Sequence, residues 1–461
     1  MRKSQKTNES KIQWKTFYKA VFALAIPMAL QNLINVGVTA TDVVMLGKVG
    51  EKVLSGASLA GQIQYIMTLF LFGLTSGATV LTAQYWGKGD RQTIEKILAL
   101  GIKAALMVTA IFMAAALAVP GLLMKIFTND PQVIGEGIRY LRIVAWSYLL
   151  IGITQVYLYT MRSVERVMIA ALVYLSSLIC NIILNAVLIF GLLGFPELGI
   201  RGAAIATLIS RCLELLLVFL YARFYNREIR VRLHYLLHTE KILIRDFLVY
   251  SIPVVLNEVM WGFGTSANTA VLGHMGSGAV AANSVAQVAR QLATVVAFGL
   301  SNATAIYLGK MIGEQKMDFA KACSRRFIAL SVAMGIAGGL LILAAVPAAV
   351  SALSLTAQAK DYLKIMFLVM SYFVVAQSYN TTMVVGIFRA GGDTRFGLIL
   401  DVSTMWGCSI LLGALAAFVW KWSVPAVYVL LMSDELIKVP ITTIRYRKYR
   451  WLQNVTRTQI Q

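Results

Sequence analysis

Apolar stretches long enough to cross a hydrocarbon core recur along the whole chain, and that recurrence leaves few folds open. A spanning α-helix needs about 20 mainly apolar residues, because every backbone N–H and C=O must find its partner inside the segment. Twelve stretches meet that need, at residues 17–46, 56–86, 94–117, 134–161, 167–192, 199–224, 247–272, 278–311, 319–350, 361–388, 396–420 and 424–444. A transmembrane barrel would instead show segments of about ten residues with alternating polarity, and the chain has no such pattern. The expected fold class is all-α, a membrane protein of about twelve transmembrane helices. Composition agrees: 14% of residues are charged, against about a quarter in a soluble domain.

The formal net charge of +21 would suggest a nucleic-acid partner in a soluble chain, but here Lys and Arg are spread over alternate loops. Arg2, Lys3, Lys6, Lys11 and Lys15 precede the first run, Lys88, Arg91 and Lys96 follow the second, and Arg162 and Arg166 follow the fourth. Arg389 and Arg395 follow the tenth run, and Arg445, Arg447, Lys448 and Arg450 follow the last. The positive-inside rule then places both termini in the cytoplasm, which requires an even number of spans. The expected partner is the lipid bilayer of a bacterial inner membrane, with no nucleic acid. The basic N-terminus leads into a long first run without an A-x-A-like cleavage site, so the first helix is itself the insertion signal. Cys180, Cys212, Cys323 and Cys408 have no CxxC spacing, and nothing in them suggests a disulfide framework or a zinc site. His234, His238 and His274 lie in the linker or a turn and form no metal or nucleophile constellation, so neither an enzyme nor a cofactor is expected.

The sequence also matches itself. Ala25-Ile26-Pro27 falls on Ser251-Ile252-Pro253 at an offset of 226 residues, and the same offset pairs Leu46-Gly47 with Leu272-Gly273 and Phe72-Gly73-Leu74 with Phe298-Gly299-Leu300. With one residue inserted, Ala118-Val119-Pro120 falls on Ala345-Val346-Pro347 and Arg162 on Arg389. Residues 1–230 and 245–461 therefore read as two copies of one six-helix lobe, joined by a cytoplasmic linker at 231–244. Six helices per copy give both the same orientation, related by a pseudo-two-fold axis along the membrane normal. Lobes of this kind are expected to expose a cavity to alternate sides of the membrane by rocking.

Three stretches make the pattern specific: Ala40-Thr41-Asp42-Val43-Val44-Met45-Leu46-Gly47, Leu198-Gly199-Ile200-Arg201-Gly202-Ala203-Ala204, and Phe388-Arg389-Ala390-Gly391-Gly392-Asp393-Thr394-Arg395. With these, on the duplicated frame and over its whole length, the chain resembles the multidrug and toxic compound extrusion (MATE) family. The resemblance implies an antiporter, coupled to H+ or Na+, that exports amphipathic and often cationic or aromatic compounds by alternating access. A functional monomer is expected. The alternative is a lipid-linked precursor flippase of related architecture, which would need a strongly cationic cavity to hold a pyrophosphate.

Charge near the bilayer centre costs at least about 2.5 kcal/mol, so each such residue requires a reason. Asp42 and Glu258 lie well inside apolar runs, and no local partner for Glu258 is visible. A buried carboxylate can exchange protons near neutrality and can equally ligate a small cation. Asp401 is a third such acid, facing the interior of its lobe or paired with a basic residue such as Arg395. Arg211 with Glu214, and Asp434 and Glu435 with Lys438, have the helical spacing of self-neutralising groups.

By resemblance, Asp42 and Glu258 match acids of the NorM-like branch, whose third acid is replaced here by the stretch Gln377-Ser378-Tyr379-Asn380. The DinF-like branch pairs the first acid with another in the fifth helix, where this chain has Asn181 and Asn185. The NorM-like branch is the better match, and Asp42, Glu258, Asn181, Asn185 and Asp401 are the expected coupling residues. Trp261, Met260, Phe298, Tyr379, Asn380 and Trp406 are expected at the substrate, where aromatic and Met side chains suit lipophilic cations. At the 226 offset Asp42 is set against Asn268 and Glu258 against Asn32, so the copies share a frame and not a site.

Overall fold

The computed structural model describes residues 2–352 and 356–457. The side chains of residues 2–13, which include the basic Arg2, Lys3, Lys6 and Lys11, lie outside that description. Among the described residues the regular structure is helical throughout. The first half of the chain forms α1 (Arg2–Val49), α2 (Glu51–Lys88), α3 (Arg91–Ala118), α4 (Pro120–Lys125), α5 (Pro131–Val144), α6 (Ser147–Ser163), α7 (Met168–Phe190) and α8 (Ile200–Leu220). After the short α9 (Leu233–Leu237), the second half forms α10 (Lys241–His274), α11 (Ser277–Gly313), α12 (Met317–Ala352), α13 (Ala357–Thr381), α14 (Thr394–Thr404), α15 (Leu411–Phe418), α16 (Val424–Leu431) and α17 (Asp434–Arg447).

Among the described residues eight helices are long and apolar enough to cross a membrane alone, and the pair α5 and α6, bent by 55° at its break, makes a ninth. The count of about twelve is completed by α10, by α13 with a π-helical continuation over Thr382–Phe388, and by α16 with α17. Each of these three carries buried polar groups that lower its hydropathy: Asn257 in α10, Gln377 and Asn380 in α13, and Asp434, Glu435 and Lys438 in α17. Two of the expected runs are not single helices. The run 134–161 breaks between Val144 and Ser147. The run 424–444 breaks after Leu431, and the second piece opens with Asp434 and Glu435 in its first turn, where the helix dipole favours acids.

Two compact units are present. One holds residues 30–255 and 457–461, the other residues 1–29 and 256–456, so α1 and α10 each contribute to both. Both divisions come two residues after a proline inside the helix, Pro27 and Pro253, where the backbone lacks one helical hydrogen bond.

The repeated Phe-Gly-Leu motif has the same structural task in each unit. A Cβ on Gly73 of α2 would lie 2.4 Å from the Cα of Val255 in α10, and one on Gly299 of α11 would lie 2.8 Å from the backbone oxygen of Ala25 in α1. Small residues let helix backbones approach closely inside a bilayer, where hydrophobic driving force between helices is absent. A second demand for glycine comes at Gly391, where a Cβ would meet the Trp451 carbonyl oxygen at 1.5 Å. Trp451 is fully buried and stacks on Tyr446, so the tail has no room to yield. Gly391→Ala should cost about 1–3 kcal/mol through overpacking, read as a lowered melting temperature of the detergent-purified protein; an unchanged melting temperature would refute the tight contact.

Candidate functional site

The unit of residues 30–255 contains a cavity of about 700 Å³. α1 contributes Asn32 and Asp42 to its wall, α2 Gln62 and Tyr65, α5 and α6 Tyr140, Gln155, Tyr159 and Arg162, α7 Tyr174, and α8 Thr207, Arg211 and Glu214. Asp42 accepts a hydrogen bond from Asn185 Nδ2 at 2.6 Å, and the same nitrogen donates to Asn181 Oδ1 at 3.0 Å. The two asparagines lie one helical turn apart on α7, so their side chains share a face, and both are buried. Asn185 Oδ1 is buried with no donor among the described residues. An unpaired amide oxygen beside a carboxylate is the donor set that a proton or a hard cation completes.

The cavity's other charges are of both signs. Arg211 Nη1 donates to Glu214 Oε1 at 2.6 Å, which neutralises that pair. Arg162, in the last turn of α6, is 7% exposed, and its guanidinium lies 4.1 Å from the centre of the Tyr159 ring. Its Nε finds no acceptor among the described residues.

In the second unit every central acid is held by a fixed cation. Arg389 Nη2 donates to Glu258 Oε1 at 2.7 Å, with the arginine side chain 4% exposed. Lys438 Nζ contacts Asp401 at 2.9 Å, Asp434 at 3.1 Å and Glu435 at 3.2 Å. Asn257 Nδ2 donates to the second oxygen of Asp401 at 3.0 Å, and Asn380 Nδ2 donates to Glu435 Oε2 at 2.8 Å. Thr442 closes the network by donating to Asn380 Oδ1 at 3.2 Å.

The structure thus brings Asp42, Asn181 and Asn185 into contact with one another, with Asp42 on the cavity wall. It places Glu258 and Asp401 in the other unit, on separate cations. The partner of Asp401 is Lys438, three helices on in the chain, and not Arg395. Of the residues expected at the substrate, Trp406 donates its indole N–H to the Met260 carbonyl at 3.1 Å, Tyr379 bonds Thr443 at 2.6 Å, and Asn380 belongs to the Lys438 network. Trp261 and Phe298 are partly buried in the same unit, and none of these six lines the cavity beside Asp42. Arg162 and Arg389 had the look of loop charges, yet both are buried at helix ends. Their alignment with each other in the repeat was the sequence signal for a role inside the fold, since a solvated loop has no need to keep an arginine in register. Tyr140, Gln155, Tyr159 and Thr207 carry no charge and gave no such signal.

The pattern of the MatE family matches residues 27–187 and 253–440, one segment in each half of the chain. The probable multidrug resistance protein NorM of Rhizobium meliloti (strain 1021) is 25% identical over 407 residues, 86% of each chain. The uncharacterised transporter YisQ of Bacillus subtilis (strain 168) is 21% identical over 444 residues, covering 95% of this chain and 96% of its own. Among solved structures, a MOP superfamily transporter from Pyrococcus furiosus superposes with a TM-score of 0.85 at 17% identity, over 94% of this chain and 95% of that one. A structure described as MATE in the straight conformation gives 0.82 at 18% identity, over 94% of this chain and 95% of that one. A duplicated all-helical frame, spans of membrane length and a family match over both halves lead to one conclusion: this chain belongs to the MatE family, the multidrug and toxic compound extrusion transporters.

Proposed function

We propose that this transporter is a cation-coupled antiporter of the plasma membrane, exporting amphipathic compounds by alternating access, with Asp42, Asn181 and Asn185 taking the coupling cation. Both termini face the cytoplasm in this reading, and the monomer of two halves, 1–230 and 245–461, is the working unit. One observation carries it. Of the six acids Asp42, Glu214, Glu258, Asp401, Asp434 and Glu435, Asp42 alone has no fixed cation in contact among the described residues, and it opens on a cavity. A carboxylate already neutralised by Arg or Lys gains little from an exchangeable ion, whereas a free one in a low-dielectric wall gains much.

The flippase reading expects a strongly cationic cavity. Asp42 and Glu214 instead offset Arg162 and Arg211 in this wall, which favours a small amphiphile over a pyrophosphate. Ethidium efflux from proteoliposomes tests the proposal, with a pH gradient and a sodium gradient imposed in separate experiments. Transport driven by either gradient supports coupling and names the ion. Transport that ignores both gradients would remove the antiporter reading.

A further inference from the structure

The two halves of the chain treat the same arginine differently. Arg389 and Arg162 occupy equivalent places in the repeat, at the ends of equivalent helices. Arg389 is 3% exposed and bonds Glu258 at 2.7 Å. The position equivalent to Glu258 in the first half is Asn32, so the carboxylate that would neutralise Arg162 has become an uncharged amide. Arg162 is nonetheless 7% exposed. Among the described residues its guanidinium has no ion pair, and its partner is the face of Tyr159 at 4.1 Å. Both Asn32 and Arg162 line the same cavity.

A buried guanidinium without a counter-anion is costly, and the cost is removed when an anion arrives. Neither acid of the same wall pairs with Arg162: Glu214 is held by Arg211 at 2.6 Å, and Asp42 accepts from Asn185 at 2.6 Å. Asp42 also lies ten residues beyond Asn32 on α1, roughly 15 Å along an unbroken helix. Stacking on an aromatic ring leaves the edge of the guanidinium fork free, and that edge matches a carboxylate with two parallel hydrogen bonds.

We propose that Arg162, Tyr159 and Asn32 form an anion subsite in the cavity, which takes the carboxylate of a transported zwitterionic amphiphile. The cationic group of the same molecule then lies toward Asp42. The substitution of a glutamate's place by Asn32 is what converts a structural ion pair, retained in the second half, into a binding site in the first. This rests on the efflux reading and narrows its substrate class.

The test uses purified full-length protein in maltoside micelles, which carry no anionic headgroup, and two matched dyes: rhodamine B, a zwitterion with a free carboxylate, and its ethyl ester, a cation. Equilibrium binding by fluorescence anisotropy should show the free acid bound roughly tenfold tighter, the expected worth of a charge-assisted hydrogen-bonded pair. Arg162→Gln should bring the two dyes to parity by weakening the acid alone, while Arg162→Lys keeps part of the preference. Asn32→Glu, which rebuilds the ion pair of the second half, should also abolish the preference and provides the test if Arg162→Gln does not fold. Equal affinities in the unmodified protein, or a preference that survives both Arg162→Gln and Asn32→Glu, would overturn the subsite and leave the efflux reading standing. Failure to bind either dye would count against the efflux reading itself and take the subsite with it.

Discussion

Asp42→Asn is expected to reduce gradient-driven dye efflux from proteoliposomes to the level of empty vesicles, with purified yield and melting temperature unchanged. The substitution keeps the size of the side chain and a hydrogen-bonding group opposite Asn185, so the packing of α1 against α7 has little reason to change. What it removes is the carboxylate charge of a cluster in which Asn181 and Asn185 supply only neutral oxygens, while Glu214, the other acid of the cavity wall, is held by Arg211. A proton or sodium ion then has no reason to bind, and a transporter whose cation site is empty cannot draw on the gradient. Glu258→Gln should behave in the opposite way. Its carboxylate is tied to Arg389 at 2.7 Å, so the loss takes a charge partner from a buried guanidinium and lowers stability more than it alters ion dependence. Side-by-side efflux and melting measurements on the two variants separate the roles, and full efflux by Asp42→Asn would end the coupling assignment.

Lys438→Met should be the most damaging single change to the fold. The ammonium is 2% exposed and contacts three carboxylates, so its removal leaves Asp401, Asp434 and Glu435 close together without a counter-charge. Breaking one buried pair costs about 3–5 kcal/mol, and three acids sharing one lysine place this case at the upper end. The expected result is a large loss of monodisperse protein and a melting temperature well below that of the parent. Combining Lys438→Met with Asp401→Asn and Asp434→Asn removes most of the uncompensated charge and should restore much of the lost stability, since removing acids together with their lysine leaves less unpaired buried charge than removing the lysine alone. A triple variant no more stable than Lys438→Met alone would mean that packing of the lysine stem, and not its charge, holds α17 in place.

Arg162 and Lys438 show how far the sequence could be read. The lysine's spacing from Asp434 and Glu435 is local, three and four residues along one helix, and a 3.6-residue period makes such neighbours visible without any structure. Its contact with Asp401 crosses to another helix, and no local period reports that. Arg162 was counted with the loop charges because it ends an apolar run, and only its burial beside Tyr159 takes it out of the solvent. The breaks in the fourth and twelfth runs were hidden for a similar reason. Ala145 and Trp146 at the first break, and Met432 and Ser433 at the second, include neither proline nor glycine, so the chain is interrupted there without a residue type that announces it.

By itself the sequence determined that this is a membrane helical protein, that its two halves repeat one pattern, that it belongs with the extrusion transporters, and that Asp42 and the asparagines of α7 lie within apolar runs of spanning length. These follow from hydropathy, repetition and short-range spacing, all of which a linear chain displays. The tertiary structure decided which charges neutralise one another. Glu258 and Arg389 are 131 residues apart in sequence and 2.7 Å apart in space. Whether a buried charge is neutralised within the fold or left for another partner depends on what the neighbouring helices bring to it, and that is fixed only when the helices pack.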